Sequence, residues 1–148
     1  MSDTKLVQIS DARREKQERL KREYERVLFN KILGSYTYIE KLGLKAVEML
    51  DISKSGLSFR MPRSDGAFSE GEEMDFRFYF SSSTYLPCRI QVKRATEVEE
   101  NGMRYWQYGC TFDTSISTFV AVEKFVDFIN VYAASAKEDK GDKQIWYL

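Results

Sequence analysis

The chain has 148 residues, of which 43% are hydrophobic and 14% aromatic, so it is long and apolar enough to bury one core. Its 23 basic and 23 acidic residues cancel, which argues against binding to nucleic acid or to anionic membranes through net charge. The absence of histidine excludes His-activated nucleophiles and His-ligated zinc. Composition leaves catalysis by carboxylates alone open, but no sequence pattern points to it, and the longest apolar runs are far short of the roughly 20 residues that span a bilayer. We expect a domain that is not an enzyme, binds no metal and does not insert into a membrane. With only two cysteines and no signal-like apolar run in residues 1–8, a cytoplasmic location is favoured.

The first segment of the chain, residues 11–26, is almost entirely charged. Only Ala12, Leu20 and Tyr24 could face a core, so a helix here would lack a continuous apolar stripe. We expect a charged N-terminal arm over residues 1–21 that is partly helical, and mobile unless something docks it.

Apolar and polar residues then alternate along the chain, which is typical of β-strands. The alternation predicts strands over residues 44–51, 57–61, 74–80, 86–92 and 106–112. Asn101-Gly102 favours a two-residue hairpin turn, because such a turn needs positive φ at both central residues. About six strands at regular spacing, with no helix between them, indicate an antiparallel barrel or sandwich.

A helical period returns over residues 119–133, where one half of the predicted helix is apolar. We expect this amphipathic helix to cover the open end of a barrel formed within residues 22–136. Val120 and Val131 lie on its polar face, where they are either incidental or form a second contact. Residues 137–148 should form a polar tail whose apolar end, residues 145–148, leaves room for a homodimer.

Two short patterns flank the first predicted strands. Residues 22–26 form an RxxxR, and residues 51–56 form a DxSxxG. Taken alone, each pattern has an ordinary explanation. The arginines could lie on a solvated helix face, and the second pattern could be a simple turn in which Gly56 supplies positive φ.

Together and in this order, the two patterns make the chain resemble the PilZ domain family, whose members bind cyclic di-GMP in bacteria. The resemblance covers about residues 20–135. It includes both motifs, the alternating strands, the terminal helix and residues 108–112, which look like the last barrel strand of the family. It implies a mainly-β fold, a six-stranded antiparallel β-barrel with a charged N-terminal helical arm and a C-terminal amphipathic helix.

The resemblance also implies a ligand site. Arginine can bond guanine O6 and N7 or grip phosphate oxygens, and a carboxylate can accept the two parallel donors on the opposite edge of guanine. Glycine permits a close approach of the backbone. The implied ligand-binding residues are Arg22, Arg26, Asp51, Ser53 and Gly56. Lys21 and Arg94 are further candidates, for which a solvated charge is an equally good explanation.

We therefore expect a non-catalytic receptor that binds cyclic di-GMP, needs no cofactor and relays the signal to a partner protein. In this hypothesis the dianion neutralises Arg22 and Arg26 and pins the arm against the barrel. The main alternative is an adaptor of the same fold that binds a motility or secretion component without nucleotide. A more distant alternative is a barrel that binds nucleic acid, against which the zero net charge and the expected burial of most aromatic residues count.

Overall fold

The computed structural model describes residues 2–29, 33–39 and 43–137. The elements in these residues are α1 (Ser2–Val27), β1 (Gly34–Ile39), β2 (Gly43–Ala46), β3 (Glu48–Ile52), β4 (Gly56–Pro62), β5 (Glu73–Tyr79), β6 (Tyr85–Glu100), β7 (Met103–Phe112) and α2 (Phe119–Ser135). A single turn of 3-10 helix, Arg63–Asp65, follows β4.

The strands form one antiparallel sheet in the order β2-β1-β5-β6-β7-β4-β3. The predicted six-stranded barrel is therefore wrong in two respects: the sheet has seven strands, and it is not closed as a barrel. The strand predicted over residues 44–51 is divided at Val47. Its first half pairs with β1 and its second half pairs with β4, so the two edge strands are joined end to end rather than side by side.

The longest pairing in the sheet is the β6–β7 hairpin. Asn101 and Gly102 form its turn with φ of 52° and 79°, which confirms the predicted hairpin. The register of this hairpin shifts between Val92 and Arg94, where two residues of β6 face one residue of β7. Such a bulge changes the direction in which the neighbouring side chains point.

The core is rich in aromatic rings from the inward faces of the strands. Phe59 lies 5.5 Å from Phe76 and 5.3 Å from Tyr108 between ring centroids, and all three residues are fully buried. The hydroxyl of Tyr108 accepts a hydrogen bond of 3.0 Å from the backbone N–H of Phe68. This bond attaches the β4–β5 connection to the core.

Both helices contribute to the same core. The predicted amphipathic helix is confirmed as α2, which buries Val122, Phe125, Val126, Ile129 and Ala133. At the other end of the chain, α1 packs against α2 and β3.

The residues that follow α1 anchor it. Leu28 and Phe29 are buried, and the Phe29 ring lies 5.7 Å from that of Phe78 and 5.8 Å from that of Phe125. Packing of Leu28 and Phe29 therefore holds the C-terminal end of α1 in place. The charged segment considered from sequence ends at Arg26 and does not include these two residues. The mobility of residues 1–21 stays a prediction.

Two further expectations concern the ends and surfaces of the chain. The predicted tail lies outside the described residues except for Lys137, and its apolar end lies wholly outside them. Within the described part of the chain, neither helix has the length and apolar character needed to cross a membrane.

Replacing Tyr108 with Phe should lower the free energy of unfolding by about 1–3 kcal/mol, because it leaves the buried N–H of Phe68 without an acceptor. Urea unfolding followed by circular dichroism measures the change. Tyr105→Phe is the matched control, since the Tyr105 hydroxyl makes only an exposed 3.9 Å contact with the sulfur of Met103. Equal stabilities for the two variants would contradict this account of the β4–β5 connection.

Candidate ligand site

The DxSxxG pattern forms the turn between β3 and β4. The N–H of Ser53 donates to the carbonyl of Gly56 at 2.8 Å, and the N–H of Ser55 donates to the hydroxyl oxygen of Ser53 at 3.3 Å. The hydroxyls of Ser53 and Ser55 lie 3.0 Å apart. The turn is thus held in shape by its own hydrogen bonds, and Asp51 stands exposed at its start.

Gly56 is required where this turn meets β7. A Cβ atom at Gly56 would lie 1.9 Å from the carbonyl oxygen of Cys110 and 2.9 Å from its carbonyl carbon. The positive φ considered from sequence is wrong, because Gly56 is not among the described residues with positive φ. The close approach of the backbones of β4 and β7 is what excludes a side chain here.

A groove of about 530 Å³ runs beside the turn, across β4, β6 and β7. The predicted residues Asp51, Ser53, Gly56 and Arg94 all line it. Arg94 lies over Gly109, since a Cβ atom built there would stand 3.6 Å from the guanidinium group. The structure therefore brings the DxSxxG residues of the predicted site together with Arg94, one of the two additional basic candidates.

Lys93 also lines this groove, and the sequence analysis did not include it. Lys93 and Arg94 are consecutive residues of one strand, which would ordinarily point to opposite faces. Both are exposed and line one groove because the bulge in β6 lies between Val92 and Arg94. Alternation alone carries no signal for such a bulge.

The RxxxR pattern lies on the last turns of α1, outside this groove. Arg26 Nε donates to the carbonyl of Leu50 at 3.1 Å, which places this arginine beside the residue that precedes Asp51. Arg26 lines a separate cavity of about 550 Å³ with Glu23, Tyr36 and others. Arg22 is exposed.

Lys21 lines a third cavity between α1 and α2, away from the Asp51 groove. The structure thus places Arg26 beside the start of the β3–β4 turn without making it part of the groove lining, and it places Lys21 elsewhere.

Glu25 is a second residue that the sequence analysis missed. It lies inside the RxxxR pattern, yet it is 95% buried, with a relative exposure of 5%. Burial raises the pKa of its carboxyl group; Lys21 lowers this pKa, Asp51 raises it and Arg22 lowers it. Charges from both α1 and β3 therefore act on the carboxyl group of Glu25. Nothing in a run of charged residues distinguishes the one that becomes buried.

An ion pair connects the same turn to α2. Lys54, the residue after Ser53, places its Nζ atom 3.0 Å from Oδ1 of Asp127. The hydrogen bond and the charge of Asp127 raise the pKa of Lys54. Both side chains are about half exposed, so solvent screens the pair and it contributes little to the stability of the fold.

The described residues contain no cluster of acidic or cysteine side chains that could hold a metal ion. The lining of the groove offers recognition by charge and hydrogen bonding. It contains two cations, Lys93 and Arg94, one carboxylate, Asp51, and six hydroxyl-bearing residues.

Comparison with known proteins identifies the class of domain. The family model of the PilZ domain matches residues 20–128, so the chain belongs to the PilZ domain family. A search of curated proteins gives no match.

Solved structures of low sequence identity share the fold. The PilZ domain with c-di-GMP of YcgR from Escherichia coli aligns with a TM-score of 0.55 at 12% identity, over 71% of this chain and 86% of that chain. K. pneumonia MrkH in its apo state aligns with a TM-score of 0.54 at 13% identity, over 68% of this chain. The MrkH–c-di-GMP complex aligns with the same TM-score at 11% identity. The alignment covers only 47% of the apo MrkH chain.

Replacing Gly56 with Ala should lower the free energy of unfolding by at least about 1–3 kcal/mol, because the new methyl group would overlap backbone atoms of β7. Urea unfolding measures the loss. The matched control is Gly109→Ala, whose methyl group would meet only the Arg94 side chain at an ordinary contact distance. If Gly56→Ala is as stable as Gly109→Ala, the close contact between β4 and β7 is not a constraint on the fold.

Proposed function

We propose that this chain is a non-catalytic cytoplasmic receptor for cyclic di-GMP that passes its signal to a partner protein. The observation that supports this most directly is the groove in which Asp51, Ser53 and Gly56 meet Lys93 and Arg94. Membership of the PilZ family adds to it. So do the structural relatives whose descriptions name this nucleotide, YcgR and MrkH.

The charges of the groove suit a ligand that carries both phosphates and guanines. Asp51, Lys93 and Arg94 are exposed, and none of their side chains has a hydrogen bond or ion pair with another described residue. Such groups are solvated and available. Lysine and arginine bind phosphate oxygens with charge-assisted bonds, and arginine also reads guanine O6 and N7. Asp51 would accept the two donors on the other edge of guanine.

The arginines of α1 would complete the site from the opposite side of Asp51. Arg26 is already directed at β3 by its bond to the carbonyl of Leu50, which leaves its terminal nitrogens for a ligand. Arg22 lies one helical turn earlier and is exposed. A dianion held between this turn of α1 and Asp51 would bind two elements that already touch, since α1 packs against β3.

Because α1 already packs against β3, the ligand would adjust the position of a packed helix rather than order a mobile arm. A ligand between α1 and the β3–β4 turn would favour one position of α1 relative to the sheet. It would also neutralise part of the positive charge that offsets Glu25. The partner protein would then recognise the surface formed by α1 and its neighbours.

The purified chain should bind cyclic di-GMP more tightly than cyclic di-AMP, because only guanine offers Asp51 two parallel donors. Calorimetric titration of each nucleotide into the protein measures the difference. Asp51→Asn should reduce the preference, since an amide cannot accept both donors. Equal affinity of the parent for the two nucleotides would rule out guanine recognition, and no binding of either would favour an adaptor that works without nucleotide.

Arg26→Ala should weaken binding of cyclic di-GMP by roughly tenfold to a hundredfold, because a charge-assisted contact is worth about 1.5–3 kcal/mol. Arg19→Ala is the matched control, since Arg19 lies on the exposed part of the same helix and outside the motif. The same titration compares both variants, and circular dichroism checks that each is folded. Parental affinity in Arg26→Ala would remove the RxxxR from the proposed site.

A further inference from the structure

The outer face of α2 carries three large apolar side chains that the proposed ligand site does not use. Val120, Phe128 and Val131 are 65%, 59% and 64% exposed. At about 100° per residue, Val120 and Val131 point in nearly the same direction, and the buried residues of α2 point the opposite way. Single exposed apolar residues are ordinary, but Val120 and Val131 form one stripe along the helix. Phe128 stands roughly 60–80° to one side of this stripe, where its ring stacks on that of Tyr132.

The charges on this stripe are arranged symmetrically. Lys124 and Asp127 stand between Val120 and Val131, and both pairs are centred on the midpoint between Phe125 and Val126. An antiparallel copy of the same helix would therefore place Val120 opposite Val131, and Lys124 opposite Asp127. A parallel copy would place Lys124 opposite another Lys124.

We propose that this face of α2 binds the same face of a second copy of the chain, with the two helices antiparallel about a two-fold axis. A two-fold contact requires that the surface complement itself, so each contact occurs twice. The stripe meets this condition in shape, through its two valines, and in charge, through its lysine and aspartate. This inference goes beyond the proposed function and does not depend on nucleotide binding.

Lys124 and Asp127 can both form the ion pairs that this dimer requires. Lys124 is exposed and has no ion pair with another described residue. Asp127 already binds Lys54 through Oδ1, but its side chain remains 45% exposed. A carboxylate has about four acceptor positions on its two oxygens, so Asp127 can accept a second ammonium group. The second copy would thus touch the same carboxylate that holds the β3–β4 turn.

The expected dimer is weak. α2 has 17 residues and is about 25 Å long, so one face of it buries less than the roughly 1,600 Å² of a standard interface. We expect reversible association that depends on concentration, with a monomer prevailing in dilute solution.

Sedimentation equilibrium of the full chain without nucleotide, from roughly 10 µM to 1 mM, tests the proposal. The parent should pass from monomer to dimer over this range. Lys124→Asp and Asp127→Lys should each be monomeric, because like charges then meet twice. An equimolar mixture of the two variants should recover the dimer, since both contacts again join opposite charges. Arg104→Asp, an equal change of charge on the β6–β7 hairpin, should leave the association of the parent unchanged.

Val131→Asp is a second disrupting variant, chosen because an exposed residue can be changed without loss of folding. It should remain monomeric at the highest concentration. A parent that stays monomeric throughout would overturn the proposal, even if the face binds some other protein. A dimer that persists in Val131→Asp and Lys124→Asp would also overturn it, because the contact would lie elsewhere. Calorimetry on Val131→Asp and Lys124→Asp keeps the two proposals separate, since nucleotide affinity should not change in either variant. Asp127→Lys is left out of this comparison because it removes the ion pair to Lys54, next to Ser53.

Discussion

The contact between the backbones of Gly56 and Cys110 is the constraint from which the geometry of the groove follows. With no side chain at Gly56, the β3–β4 turn lies directly on β7, and Phe112 N–H donates to the carbonyl of Ser55 at 3.0 Å. The turn residues and the β6–β7 pair then form two sides of one depression. The Arg94 side chain lies across Gly109, at ordinary contact distance from where a Cβ atom would stand. The acidic and basic sides of the groove are therefore placed by backbone contacts and not by pairing with each other.

α2 contacts both segments that carry the motifs, the end of α1 and the β3–β4 turn. The two contacts differ in strength. Phe125 packs against Phe29, which follows α1, and against Phe78 of β5. Aromatic pairs of this kind contribute about 0.5–1.5 kcal/mol beyond the burial of their area. The exposed pair between Lys54 and Asp127 contributes far less, because solvent screens it. The core thus determines where α2 lies, and the ion pair adds one weak contact between α2 and the β3–β4 turn.

Sequence patterns predicted the parts of this molecule in which local chemistry decides the structure. Alternation of apolar and polar residues located most strands, and Asn101-Gly102 located a hairpin. The strand β1 was missed, because Ser35 and Thr37, which it buries, are polar. The break at Val47 and the bulge that exposes Lys93 were also missed, since both depend on which strands pair and in what register. The burial of Glu25 depends on tertiary packing alone.

The two cysteines of the core differ in reactivity between the folded and the unfolded state. Cys88 and Cys110 are buried on β6 and β7. Burial raises the pKa of both thiols, that of Cys110 to about 12. Because the thiolate is the reactive form, alkylating reagents and oxidants react very slowly with either residue while the sheet is intact. The rate of thiol modification therefore reports how often this part of the sheet opens, and it does so without any added label.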